Sequence, residues 1–206
     1  KLWNSADLVT RPVTAGGVSL CFVMIEGLSA LSKLDEAVVR PLSLREFSSG
    51  WEVFSFLEDT VIVGDVQDVY EFDELIRLIT SGFVAILIQG VPTAVVMGAQ
   101  SYAYRSVSQP ENEVNEKGSR ESFTEPIKVN MSLVRRRMKS GEVCFEMTEV
   151  GTESKTSACI IYSPRAVNGK LLAEVRRRLQ KVDLKLVLDV GYLQPFLEGK
   201  PLSLFS

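Results

Sequence analysis

The sequence predicts an α/β protein made of two small α/β lobes, each a mixed sheet flanked by helices, joined by a charged loop-helix connector. Three observations lead there. Apolar runs rich in Val and Ile, such as Val18 to Ile25 (VSLCFVMI), have the length and content of strands buried on both faces. Between them lie stretches with apolar residues three and four apart, the spacing of a helix with one buried side. Ser108 to Lys139 is the longest polar interruption, with apolar patterning on both sides of it. An N-terminal α/β subdomain is therefore expected over 1–106. A C-terminal one is expected over 107–206, including a connector helix at about 124–139.

In the first lobe, Trp3 to Arg11 reads as a capped start, and Gly27 ends the strand Val18 to Ile25. Ser32 to Phe47 carries Leu34, Ala37, Val38 and Leu42 near helical spacing, with Ser32 as its N-cap and Pro41 set to kink or split it. Val53 to Leu57 and Val61 to Val63 are short runs that fit either helix or strand. Asp68 to Ser81 has a clear helical stripe of Val69, Phe72, Leu75, Ile76 and Ile79, with Gly82 as its stop. Phe83 to Gln89 and Thr93 to Ala99, parted by Gly90-Val91-Pro92, read as a hairpin.

The connector opens with the acidic, turn-rich stretch Pro110 to Gly118. Thr124 is expected to cap a helix with Pro126 in its first turn, where the missing N–H does little harm. Ile127, Met131, Val134 and Met138 mark its apolar face, and Arg135, Arg136 and Arg137 crowd its last turn, where cations suit the helix dipole. The triplet has two readings. It is a solvated helix end with local carboxylate partners, or one Arg bridges to Glu121, Glu125 or a bound carboxylate at the lobe junction. Spacing alone does not choose between them. On either reading both halves of the molecule grip this helix.

In the second lobe, Glu142 to Val150 alternates as a strand does and Thr156 to Tyr162 is a second strand. Asn168 caps a helix whose stripe is Leu171, Leu172, Val175, Leu179 and Val182, with Glu174 set to pair with Arg178 one turn on. Leu184 to Leu188 reads as a strand and Gly191 to Leu197 as a last short helix. A unit of this size is marginal alone and is expected to dock on the first lobe.

Composition excludes several function classes. The 206 residues are 46% hydrophobic and 24% charged, with a mean hydropathy of +0.12. That fits neither a disordered chain nor a membrane bundle. A net charge of -3 and a pI near 5.2 argue against a nucleic-acid partner. There is no histidine, which removes the usual general base and the commonest metal ligand. Cys21, Cys144 and Cys159 lie far apart in apolar runs, as buried reduced thiols do, with no zinc-site spacing. No Gly-x-Ser-x-Gly elbow, phosphate-binding loop or dinucleotide glycine motif is present, so no enzyme activity and no cofactor are expected. The most apolar window, Phe83 to Met97, is shorter than the roughly 20 residues of a span. With Lys1 at its start and no signal-peptide pattern, the chain reads as soluble and as a piece of something larger.

The residues also carry a resemblance. Asn4-Ser5-Ala6-Asp7 with Arg11, Glu26-Gly27-Leu28, and Gly82 before the hairpin are one part of it. Gly118-Ser119-Arg120-Glu121-Ser122-Phe123-Thr124-Glu125, with Asn130, Leu133 and Arg135-Arg136-Arg137, is the most specific part. Gly151, Ser154 to Thr156, Tyr162 and Arg178-Leu179 continue it. Together they resemble the soluble N-terminal domain of the A subunit of bacterial spore germinant receptors of the GerA type, almost end to end. The family motif has proline at Ser119, arginine at Lys117 and threonine at Val129, so the loop differs in detail.

The resemblance implies a subunit that works with B and C partner subunits in the spore inner membrane. The assembly responds to small nutrients, such as amino acids or sugars, and triggers ion and dipicolinic acid release. It also implies a polytopic membrane region following Leu204-Phe205-Ser206, this fragment being an extramembrane domain, and a homo-oligomer formed through the full-length subunit. Two roles compete. A structural and oligomerisation module would pass movement to the membrane part. A direct germinant-binding domain would hold a small amino acid or sugar between its lobes. Arg120, Glu121, Glu125, Asn130, Arg135 and Arg136 are the expected ligand or interface residues in either case. No metal site and no nucleic-acid partner are expected.

Overall fold

The computed structural model describes residues 5–30, 34–60, 65–100 and 123–198. Its backbone contacts cluster into two compact units, Lys1–Gly141 and Glu142–Ser206. The connector helix, expected to open the C-terminal subdomain, thus falls at the end of the first unit. The acidic stretch, Ser32 and Val61 to Val63 lie outside the described residues.

The first unit opens with β1 (Leu8–Ala15), where the sequence suggested only a capped start. β1 is an edge strand paired along its length with β2 (Val18–Ile25). Pro12 lies within β1, as an edge strand permits, since an edge N–H needs no ladder partner. A π-helical turn (Asp35–Val39) then runs into α1 (Arg40–Ser43). The helical run thus changes from a π-turn to an α-turn next to Pro41, where a kink or split was expected, because the proline ring and missing N–H disrupt the preceding turn.

α2 (Gly50–Thr60) takes in Val53 to Leu57, the run that fitted either state. β3 (Val66–Val69) follows, so Asp68 and Val69 belong to a strand ahead of α3 (Phe72–Thr80). β4 (Val84–Ile88) and β5 (Ala94–Met97) form the expected hairpin, with Val84 opposite Met97 and Ile86 opposite Val95.

The strand order is β1-β2-β4-β5-β3. The α/β class holds, but strand direction departs from the mixed sheet expected: every ladder among the described residues is antiparallel. β3 and β4 do run the same way, joined through α3. However, β5 folds back between them, so they never share a ladder.

Strand alternation sorts the core into two layers, because successive side chains point to opposite faces. On one face, Leu20, Phe22, Met24, Ile86, Ile88, Val95 and Met97 pack with Val38, Leu42, Val53 and Leu57 from the first helices. On the other, Ile25, Ala85, Ala94 and Val96 pack with Ile76, Leu78 and Ile79 from α3. Last in this unit comes α4 (Ile127–Arg137).

The second unit is a hairpin of β6 (Cys144–Val150) and β7 (Thr156–Tyr162), then α5 (Gly169–Gln180). Asn168 caps α5 as expected, accepting from the Lys170 and Leu171 amides. Leu184 to Leu188 is not a strand. Its carbonyls instead accept from the Thr152 and Glu153 amides and from the Thr156 hydroxyl, outside any ladder. A 3-10 turn (Val190–Tyr192) and α6 (Gln194–Leu197) close the unit. Val150, Leu179, Val182, Val187 and Leu193 form its core. Cys144 is buried, Cys21 and Cys159 are half-buried, and none forms a disulfide.

Candidate functional site

α4 carries Asn130, Arg135 and Arg136, three of the six residues singled out in the sequence. It begins two residues later than expected: Pro126 stands at the N-cap, and its ring has no acceptor to offer the free amides. Thr124 does not cap it. The contact runs the other way, from one turn inside the helix. Asn130 Nδ2 donates to the Thr124 carbonyl at 2.7 Å, and its Oδ1 accepts from the Thr124 amide at 2.7 Å. The Asn130 amide thus pairs with the backbone as a neighbouring strand would, and it fixes the lead-in to the helix.

The expected apolar face is only partly buried. Met131 is buried, Ile127 and Val134 are half-buried, and Met138 is exposed. The second buried side chain is Arg135, at 0% exposure. Its Nε donates to Asp7 Oδ2 at 2.7 Å and Nη2 to Asp7 Oδ1 at 3.0 Å, a two-pronged pair. Nη2 also donates to Ser5 Oγ at 3.0 Å, and Nη1 to the Ser140 carbonyl at 2.8 Å. The Ser5 hydroxyl in turn donates to Asp7. The carboxylate beside Arg135 is therefore Asp7, 128 positions back, where Glu121, Glu125 or a ligand was anticipated.

A second contact fixes the helix from the side. Gly27 has φ +79°, and a Cβ built on it would lie 3.0 Å from Ser132 Cβ and 3.7 Å from the Lys128 carbonyl. Only glycine suits both that backbone and that approach. Lys128 Nζ also reaches Glu26 Oε1 at 2.8 Å, an exposed and hence weak ion pair.

Glu125, two residues before α4, is exposed, and Arg136 on α4 is half-buried; Arg120 and Glu121 lie outside the described residues. Of the six residues singled out, Asn130 and Arg135 thus hold α4 in place. Ser5, Asp7, Glu26 and Gly27 complete the arrangement. They all occur in the stretches that carried the family resemblance, but nothing in the spacing paired them with α4.

The second unit has its own charged cluster. Glu146 on β6 accepts from Arg176 Nε at 2.8 Å, and Arg176 Nη2 donates to the Tyr162 hydroxyl at 3.2 Å. Hydrogen bonding from Arg176 holds the Glu146 carboxyl below its ordinary range. The Cys144 side chain, then burial, push the Tyr162 hydroxyl up to about 12. On the exposed side of α5, Arg177 and Arg178 both reach Glu174 and hold its carboxyl down at about 2.

A family model described as Bacillus/Clostridium GerA spore germination protein matches residues 1–206. The chain belongs to the GerA spore germination protein family. This GerA-family chain is 27% identical over 206 residues to Spore germination protein KA of Bacillus subtilis (strain 168), covering 98% of this chain and 38% of that protein. It is 28% identical over 208 residues to Spore germination protein GerLA of Bacillus cereus, covering 100% and 42%. It therefore spans about two-fifths of the length of these curated relatives. In structure it is similar to the N-terminal domain of the A subunit of the Bacillus megaterium spore germinant receptor GerK3. There the TM-score is 0.71 at 23% identity, over 99% of this chain and 76% of that one. That likeness establishes a shared fold. Among the described residues of the GerA-family chain, no helix is long and apolar enough to cross a membrane.

Proposed function

We propose that the chain is the extramembrane domain of a germinant-receptor A subunit in the spore inner membrane, acting non-enzymatically in receptor assembly and in signal transmission to ion-release gating. The observation that carries this choice is the state of Arg135. Its three guanidinium nitrogens all donate to protein acceptors, and the side chain is fully buried. A nutrient carboxylate could reach it only by displacing Asp7, leaving that carboxylate buried without its cation. α4 therefore serves as a fixed strut, and the exposed Glu125 just ahead of it and the half-buried Arg136 in its last turn are the residues suited to contacts with B and C partner subunits or with further A subunits.

The test is Arg136→Glu in the full-length A subunit, co-expressed with its B and C partners. Recovery of the assembled complex is expected to fall several-fold, while any complex that forms keeps its nutrient dose response. Intact assembly with a shifted dose response would favour the second reading, in which this domain binds an amino acid or sugar germinant directly.

A further inference from the structure

We infer that a groove on the first unit, between the loop after α1 and the outer side of α2, binds a small organic cation: an ammonium group carried on an apolar body. The site lies away from α4 and does not depend on the role proposed for that helix. The groove offers about 600 Å³ of space open to solvent, within the size range of small-ligand sites.

Three aromatic side chains line it. Phe56, buried at 8% exposure, is one of them. Phe47 stands against Phe56 with ring centres 5.5 Å apart. Trp51 is braced edge-on by Phe54 at 5.6 Å yet leaves 52% of its surface exposed. An exposed indole costs hydration free energy that a ligand's apolar body would recover.

The charges set the sign of the ligand. Glu46, Glu52 and Asp59 contribute three carboxylates to the lining, against the single guanidinium of Arg45. Arg45 also shows what these rings accept, because its Cζ sits 4.7 Å from the centre of the Phe56 ring. A ligand ammonium has the equivalent place over Trp51. Glu52, next to Trp51 in the first turn of α2, and Asp59, two turns further along the helix, both line the same groove.

The groove is built in advance. The Phe47 amide donates to the Gly16 carbonyl at 2.8 Å. Gly16 has φ +56°, and a Cβ there would collide with the Phe47 ring, so the loop is seated directly on the β1–β2 turn. Glu52 is fixed too, its Oε2 accepting from the Ser48 amide at 2.8 Å. The sites best placed for testing are therefore Trp51 and Asp59, both exposed and outside the core.

The experiment is calorimetric titration of the 206-residue chain with benzyltrimethylammonium chloride, and separately with phenylacetate as an anion of similar body. The cation is expected to bind saturably with Kd of about 0.1–1 mM, and phenylacetate at least about tenfold more weakly. Asp59→Asn and Trp51→Ala should each weaken the cation about three- to tenfold, with Trp51→Phe restoring most of the loss. Melting temperatures within a few degrees of the parent chain verify that each variant is folded. No saturable heat up to about 10 mM cation overturns the proposal. So does equal binding of the anion, or unchanged binding by both Asp59→Asn and Trp51→Ala.

Discussion

Arg135 and Asp7 form a buried, two-pronged ion pair at 2.7 and 3.0 Å that ties the last helix of the first unit to the residues leading into its first strand. The side chains are 0% and 3% exposed, so the pair is shielded from the screening that weakens surface ion pairs. Removing one partner strands the other charge away from water. Arg135→Met and Asp7→Leu are each expected to destabilise the chain by about 3–5 kcal/mol. The double variant should lose less than the sum, because no uncompensated charge remains. Urea denaturation of the four proteins checks this. Additive losses would mean that the two residues act independently.

Gly27→Ala places a methyl group against Ser132 in a backbone conformation that disfavours side chains. A cost of about 1–3 kcal/mol is expected. Hydrogen exchange should show the loss first in α4, with the β4–β5 hairpin amides less affected.

Asn130→Ala removes both bonds that hold the Thr124 backbone. A loss of about 1–2 kcal/mol is expected, with faster exchange at the Thr124 amide. Asn130→Asp keeps the acceptor but loses the donor, and should fall between the two.

The second unit should be acid-sensitive in a definite window. Glu146 and Glu174 both have carboxyls depressed by arginine, Glu174 to about 2. A carboxyl whose folded pKa is depressed adds stability above its unfolded value of roughly 4.3. That contribution is lost as pH falls through the folded value. Stability of the hairpin and α5 should therefore decline from about pH 4.5 towards pH 2. Both groups are partly exposed, so the decline is modest and shrinks in high salt. In Glu174→Gln the pH profile should be flatter over that window, as measured by circular dichroism.

Much of the fold was legible because burial leaves a pattern. β2, the β4–β5 hairpin and β7 are short apolar runs bounded by turn residues, and α5 shows its helical stripe behind the Asn168 cap. β1 was not legible, since Thr10, Arg11, Pro12 and Thr14 give an edge strand no continuous apolar signal. α2 was ambiguous because Val53, Phe54, Phe56 and Leu57 are residue types that strands also favour. Leu184 to Leu188 reads as a strand, but Leu186 and Leu188 remain exposed and its bonds go to a turn.

At the candidate site, sequence placed Arg135, Arg136 and Arg137 together in the last turn of one helix, where the structure has them. It could not name the partner of Arg135, because a pairing across 128 positions leaves no local spacing to read. Nor could it separate the buried Arg135 from its neighbours Arg136 and Arg137. Only the helix's rotation about its axis does that.

The distance between Asp7 and Arg135 along the chain sets an order of events during translation. Asp7 leaves the ribosome long before its counter-charge exists, so the nascent β1 edge must keep that carboxylate hydrated while the rest of the sheet assembles. The N-terminal end of the sheet can dehydrate and lock only once α4 has been synthesised and has docked. Closure of the first unit is therefore a late step governed by a non-local contact, and chains halted before Arg135 should present a loosened N-terminal strand to quality-control proteases.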